Sequence, residues 1–112
     1  MDTKRLTADL SVSPQITVDD VPILKVAGFR AIICNRPDGE AEDQPRFAEI
    51  ADAAQKVGIK ALYLPVVAGA MADADADARA FRQALTDLPG PVLAYCRSGA
   101  RSANLWTLSQ TE

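Results

Sequence analysis

Apolar residues fall into two rhythms along this chain. At Leu6, Ala8, Leu10 and Val12 they alternate with polar residues, which predicts a short strand at a sheet edge ending before Pro14. Phe29-Arg30-Ala31-Ile32-Ile33-Cys34 and Val92-Leu93-Ala94-Tyr95 are instead almost continuously apolar, the pattern of strands covered on both faces. Ile59 to Val67 reads as a further strand. Helical spacing separates these runs. Thr17-Val18-Asp19-Asp20 has the form of a capping box with Asp in place of Glu and opens a helix that closes at Ala27-Gly28, with Pro22 near its first turn. Phe47, Ile50, Ala54 and Val57 recur at helical intervals from Pro45, and Gly58 supplies the stop. Asp73, Asp75 and Asp77 precede a helix over Ala78 to Leu88, where the helix dipole favours acidic side chains. Pro89-Gly90-Pro91 breaks the chain before the last strand, and a helix from about Ser102 carries Leu105, Trp106 and Leu108.

This alternation of strands and helices implies an α/β fold, a mainly parallel sheet flanked by helices on both faces. Such sheets place their sites at the carboxyl ends of the strands. Asn35-Arg36, Pro65 to Gly69 and Cys96 all fall at that edge. No internal repeat or long low-complexity linker divides the chain, so residues 1–112 are expected to form one domain. The last helix stops abruptly at Glu112, the pattern expected of a module taken from a longer protein.

Composition narrows the classes. Hydrophobic residues make up 48% and charged residues 24%, ordinary values for a soluble folded domain. A formal charge of -3 leaves no basic face to neutralise a phosphate backbone, which argues against nucleic acid as a partner. No run approaches the roughly 18 apolar residues of a membrane span, and Met1 to Pro14 is polar and interrupted, unlike a secretory signal. A cytoplasmic location is therefore expected, without a membrane partner. Two cysteines cannot build a disulfide framework, and without histidine they cannot complete a common zinc site; no metal or cofactor is expected.

The chemistry concentrates in Tyr95-Cys96-Arg97-Ser98-Gly99-Ala100-Arg101-Ser102. A cysteine after an apolar strand and just before a helix directs its sulfur at backbone N–H groups, which with the helix dipole favour an anion. That field, with Arg97 and Arg101, favours thiolate over thiol and makes Cys96 the candidate nucleophile. Ser98, Gly99 and Ala100 let the backbone approach an oxyanion closely. Arg101 is positioned to close the ring with a bidentate fork, and Ser102 to bond the sulfur or cap the helix. Against this stands the ordinary fate of a free cysteine, packing as a small hydrophobe. Cys34, ending a core strand, reads most simply in that ordinary way, with a resolving or redox role as the alternative. Arg36 is open between reaching an anion at Cys96 and pairing with Asp38 or Glu40 in its own loop.

Ser13 to Thr17, Asn35-Arg36-Pro37-Asp38-Gly39-Glu40, Leu64-Pro65-Val66 and Gly90 to Ser102 together resemble a bacterial family, the phosphatase-like domain of beta-lactamase hydrolase-like proteins. Its members are described both as phosphatase-like and as sulfurtransferase-like, alone or beside persulfide-dioxygenase-type domains. The similarity runs through nearly the whole chain from Leu6, with only a further C-terminal helical segment of the family lacking. The resemblance implies the protein-tyrosine-phosphatase-like fold of dual-specificity type. It also implies a persulfide-dioxygenase-type partner domain.

Three departures bear on activity. Cys96 and Arg101 enclose four residues, whereas phosphatases of this fold enclose one more and rhodaneses resemble the shorter loop. Ala68 stands where the family of phosphatases commonly places its general-acid Asp, a loss worth about 10²–10⁴-fold on an ester with a poor leaving group. Asp73, five residues on, is a weak substitute. Tyr95 replaces the usual histidine before the cysteine. Sulfur transfer needs no acid, because sulfite or a thiolate leaves as a stable anion. The leading expectation is thus a rhodanese-like sulfurtransferase using thiosulfate, glutathione persulfide or a protein persulfide through a Cys96 persulfide. The alternatives are a phosphatase acting on phosphotyrosine or a small phosphate ester through cysteinyl-phosphate, and a non-catalytic oxyanion-binding or redox-sensing module.

Overall fold

The computed structural model describes residues 2–67 and 74–110. Nine elements follow in the order β1 (Lys4–Thr7), β2 (Leu10–Ser13), α1 (Asp20–Val26), β3 (Ala31–Cys34), α2 (Phe47–Lys56), β4 (Lys60–Tyr63), α3 (Ala74–Asp87), β5 (Val92–Tyr95) and α4 (Ala100–Gln110). The strands form one sheet in the order β1-β2-β5-β3-β4, antiparallel between β1 and β2 and parallel everywhere else. The expected α/β architecture is therefore present, with β5 at the centre of the sheet.

Strand alternation divides the core into two layers. Ile32 and Cys34 of β3, with Leu93 and Tyr95 of β5, join Val21 and Leu24 of α1 and Ile50 and Ala54 of α2 on one face. Ala31 and Ile33, with Val92 and Ala94, join Phe81 and Ala84 of α3 and Leu105 of α4 on the other. Successive strand residues point to opposite faces. A strand sandwiched in this way must be apolar at every position, which is why β3 and β5 are buried throughout.

Several boundaries differ from those expected. The alternating segment from Leu6 to Val12 is not one edge strand: a turn at Ala8-Asp9 folds it into a hairpin, with an irregular register between Arg5 and Thr7. Only β1 lies at the edge; β2 is buried at all four positions because it pairs with β5 in the interior. Its serines, Ser11 and Ser13, gave the polar rhythm of an exposed strand while being enclosed. The strand expected to run to Val67 ends at Tyr63, where the chain turns across the sheet edge and Val66 N–H bonds to the Asn35 carbonyl at 2.9 Å. Helix α3 begins at Ala74 rather than Ala78, and α4 at Ala100 rather than Ser102. Of the capping box expected from Thr17 only one half forms: the Asp20 carboxylate accepts the Thr17 N–H at 2.8 Å, but the N-cap of α1 is Asp19, without a side-chain cap bond. Among the described residues no helix is long and apolar enough to cross a membrane.

Candidate active site

Cys96 follows directly on β5, and its N–H extends the ladder by bonding to the Ser13 carbonyl at 3.4 Å. The chain then reverses within three residues. Gly99 takes φ of +94°, a region that costs side chains dearly, and an added Cβ would sit 3.4 Å from the Ser13 carbonyl carbon. This bend turns the Gly99 N–H back onto Cys96 Sγ at 3.1 Å. Gln15 N–H bonds to the Arg97 carbonyl at 3.2 Å, so the end of β2 grips the loop on its outer side. Helix α4 starts at the next residue, placing its free N–H groups and positive dipole end under the loop. Cys96 is buried, Gly99 is buried, and Arg97, Ser98 and Ala100 are exposed. The sulfur is thus held by a backbone donor beside a helix N-terminus, the geometry expected of an anion-binding cysteine loop.

Arg101 forms the fork the residue pattern suggested, but its partner is internal. Nη1 and Nη2 each meet an oxygen of Glu40 at 2.8 Å, and Nη1 also donates to the Val66 carbonyl at 2.8 Å. Arg36 has the same carboxylate: its Nε lies 3.0 Å from Glu40 Oε1, and its Nη1 donates to Gln15 Oε1 at 3.0 Å. Of the two partners open to Arg36, its own loop therefore supplies the one it uses. The Arg101 guanidinium, followed by that of Arg36, holds the Glu40 carboxyl below its ordinary value despite some desolvation. Glu40 in turn holds the Arg101 guanidinium above its ordinary value, with a further contribution from the charge of Cys96.

Ser102 neither bonds the sulfur nor caps a helix. Its hydroxyl is fully buried and donates to Asn35 Oδ1 at 2.9 Å, while Asn35 Nδ2 donates to the Leu64 carbonyl at 2.9 Å. These bonds pin α4 to the ends of β3 and β4, because Ser102, the third residue of α4, faces the sheet edge rather than the loop. Cys34 is a core residue whose thiol donates to the Arg36 carbonyl at 3.2 Å, and burial pushes its pKa up. Beside it, in paired register, Tyr95 occupies the position before Cys96. Its buried hydroxyl makes no hydrogen bond of good geometry, although Cys34 and Gln15 are near enough to influence it; burial, first, and Cys34 push its pKa up. Ala68, Gly69 and Asp73, on which the acid argument turned, lie outside the described residues.

Sequence reasoning missed the role of Glu40 towards Arg101 and the clamping by Gln15. The two partners of the fork are 61 positions apart. The available signal was a turn-rich Pro37-Asp38-Gly39-Glu40 loop at the sheet edge that also carries Cys96.

This cysteine loop lies at the carboxyl edge of a mostly parallel sheet between helices, a fold the chain shares with solved phosphatases such as the core catalytic domain of a yeast PP-IP phosphatase, at a TM-score of 0.65. The chain belongs to the family of the beta-lactamase hydrolase-like protein, phosphatase-like domain, whose profile matches residues 2–112. It is 34% identical over 110 residues to the beta-lactamase hydrolase-like protein of Agrobacterium fabrum, covering 98% of this chain and 25% of that one. The chain thus spans about a quarter of the length of this curated relative. Among solved structures, a provisionally named phosphatase from Neisseria meningitidis is similar at a TM-score of 0.83 and 40% identity, over 91% of this chain and 71% of its own. A provisionally named phosphatase from Shewanella putrefaciens shares the fold at a TM-score of 0.77 and 20% identity, over 96% of this chain and 66% of its own.

Proposed function

We propose that the domain is a cysteine-dependent phosphatase, with Cys96 as nucleophile on a small phosphate monoester. The observation that supports this most is Cys96 Sγ held at 3.1 Å by the Gly99 N–H at the start of α4, within a phosphatase-like family. In the first step the thiolate attacks phosphorus, an S–P bond forms and the P–O bond to the leaving group breaks. In the second, water attacks phosphorus, releasing inorganic phosphate and restoring the thiolate. Gly99 N–H and the first turn of α4 face the anion, and Arg101 supplies positive charge beside it. With Ala68 at the usual acid position, the leaving oxygen takes its proton from solvent. Aryl esters, whose phenolate departs readily, are then the favoured substrates.

A second reading is favoured by the four-residue spacing between Cys96 and Arg101 together with Ala68. In it the thiolate attacks the outer sulfur of thiosulfate, the S–S bond breaks with departure of sulfite, and Cys96 carries a persulfide that an acceptor thiolate or cyanide removes. The persulfide-dioxygenase-type partner domain belongs with this reading.

One paired assay separates the two. Wild type and Cys96→Ser are incubated with p-nitrophenyl phosphate and, separately, with thiosulfate plus cyanide. Ester hydrolysis by wild type that Cys96→Ser loses is the expected result. Hydrolysis that persists in Cys96→Ser sinks the phosphatase reading, and Cys96-dependent thiocyanate formation without hydrolysis replaces it with sulfur transfer.

A further inference from the structure

Helix α1 is apolar on both of its faces. Val21 and Leu24 are buried in the core, yet Pro22, Ile23 and Val26 are exposed, Ile23 by 58% and Val26 by 89%. The turn before the helix lengthens this stripe. There the Val18 carbonyl accepts the Val21 N–H at 3.2 Å, Asp19 already has helical dihedrals, and Val18 is 40% exposed. Val18, Pro22 and Val26 therefore recur every fourth residue along one line, with Ile23 beside it. Among the described residues, three of the four large apolar side chains that are exposed lie on this one short segment. A helix that is apolar all round is ordinarily covered, and exposed apolar residues gathered in one patch mark an interaction surface.

The border of the stripe selects what covers it. Next to Val18 and Asp19 lies a concavity of about 370 Å³ that is also lined by Glu42, Asp43 and Glu49, and its lining holds no lysine or arginine. None of these four carboxylates takes part in an ion pair. Lys25, the one cation of α1, lies at the other end of the helix, its ammonium beside Gly58. A second copy of the chain, docked through the same patch about a two-fold axis, would bring the carboxylates of one copy against those of the other. An anionic lipid surface would be repelled by them. A cationic partner is attracted.

We propose that the outer face of α1 and the acidic concavity beside it dock a separate polypeptide, through a segment that presents apolar side chains flanked by lysine or arginine. The apolar side chains cover Val18, Pro22, Ile23 and Val26 and supply most of the affinity, while the cations reach the carboxylates and set which partner is accepted. The inference does not depend on which reaction Cys96 performs.

The probe is a helical peptide of about 14 residues with leucine along one face and lysine flanking it, compared with the same peptide carrying glutamate for every lysine. Each is titrated into the isotope-labelled protein while backbone amide shifts are followed. The lysine peptide is expected to shift amides of residues 18–26 and 42–49 and to bind at least about tenfold more tightly than the glutamate peptide at low salt, a gap that narrows as salt rises. Ile23→Ser combined with Val26→Ser, both at exposed positions and checked for folding by the same spectrum, should weaken the lysine peptide at least about tenfold. Glu42→Gln with Asp43→Asn should weaken the lysine peptide and leave the glutamate peptide no weaker. Equal binding of the two peptides, shifts centred elsewhere, or no shifts with either would overturn the proposal. So would lysine-peptide binding that survives loss of Ile23 and Val26, because charge alone would then explain it. Self-association in sedimentation, or binding to phosphatidylglycerol vesicles, that the Ile23→Ser, Val26→Ser protein loses would also overturn it, assigning the stripe to a second copy or to a membrane.

Discussion

At the scale of single residues the site depends on one backbone conformation. Gly99 turns its N–H onto the sulfur only because it sits at φ of +94°. Gly99→Ala would be strained there by about 1–2 kcal/mol, and its methyl would press on the Ser13 carbonyl carbon at 3.4 Å. The expected result is a lower denaturant midpoint together with a loss of Cys96-dependent turnover of at least about tenfold, since the sulfur would lose its donor. A variant with wild-type midpoint and turnover would show that this bend is dispensable. The placement of Cys96 and Gly99 in a tight loop was legible from the residues alone, because a strand, a small-residue loop and a helix follow one another locally. The roles of Arg101 and Ser102 were not, and for Arg36 the pairing with Glu40 was one of two readings the residues left open. The partners of Arg101 and Ser102 come from the loop after another strand, and nothing in the local sequence selects Glu40 for Arg101 or Asn35 for Ser102.

At the scale of elements, short apolar runs identified β3 and β5, and Gly58, with φ of +78°, ended α2 where expected. The β1–β2 hairpin escaped notice because its turn, Ala8-Asp9, lacks glycine, proline and asparagine, and the apolar alternation runs straight through it. Whether a serine in a strand faces water depends on which strand lies beside it, and β2 lies beside β5. Contacts between elements then fix the loop. Ser102 of α4 is bonded to Asn35 after β3, which is bonded to Leu64 after β4. Ser102→Ala leaves Asn35 Oδ1 without that donor in a buried position, an expected cost of about 1–3 kcal/mol in unfolding free energy. Combining it with Asn35→Ala in a double-mutant cycle should return a coupling of about 0.5–1.5 kcal/mol. Strictly additive losses would mean that the bond does not hold α4 to the sheet.

At the scale of the whole molecule, Glu40 joins segments that the chain order keeps apart: the loop after β3, Arg101 in α4 and, through the arginines, Gln15 after β2 and Val66 after β4. Its charge is therefore tied to global stability. Arg101, and after it Arg36, hold the folded-state carboxyl below the ordinary value of 4.5 that the unfolded chain restores. A depressed carboxyl binds fewer protons when folded than when unfolded, so its stabilisation is fully present above the unfolded value and is lost as pH falls through the folded one. Other carboxylates also titrate in that range, so the informative quantity is the difference between two chains. Wild type should exceed Glu40→Gln in stability at neutral pH, by an amount that stays constant down to about pH 5 and then shrinks progressively on further acidification. Chemical denaturation at a series of pH values measures this directly. A difference that is flat across the acid range would mean that the Glu40 carboxylate gains nothing from its two guanidinium partners, and a difference that grows towards low pH would reverse the sign of the linkage.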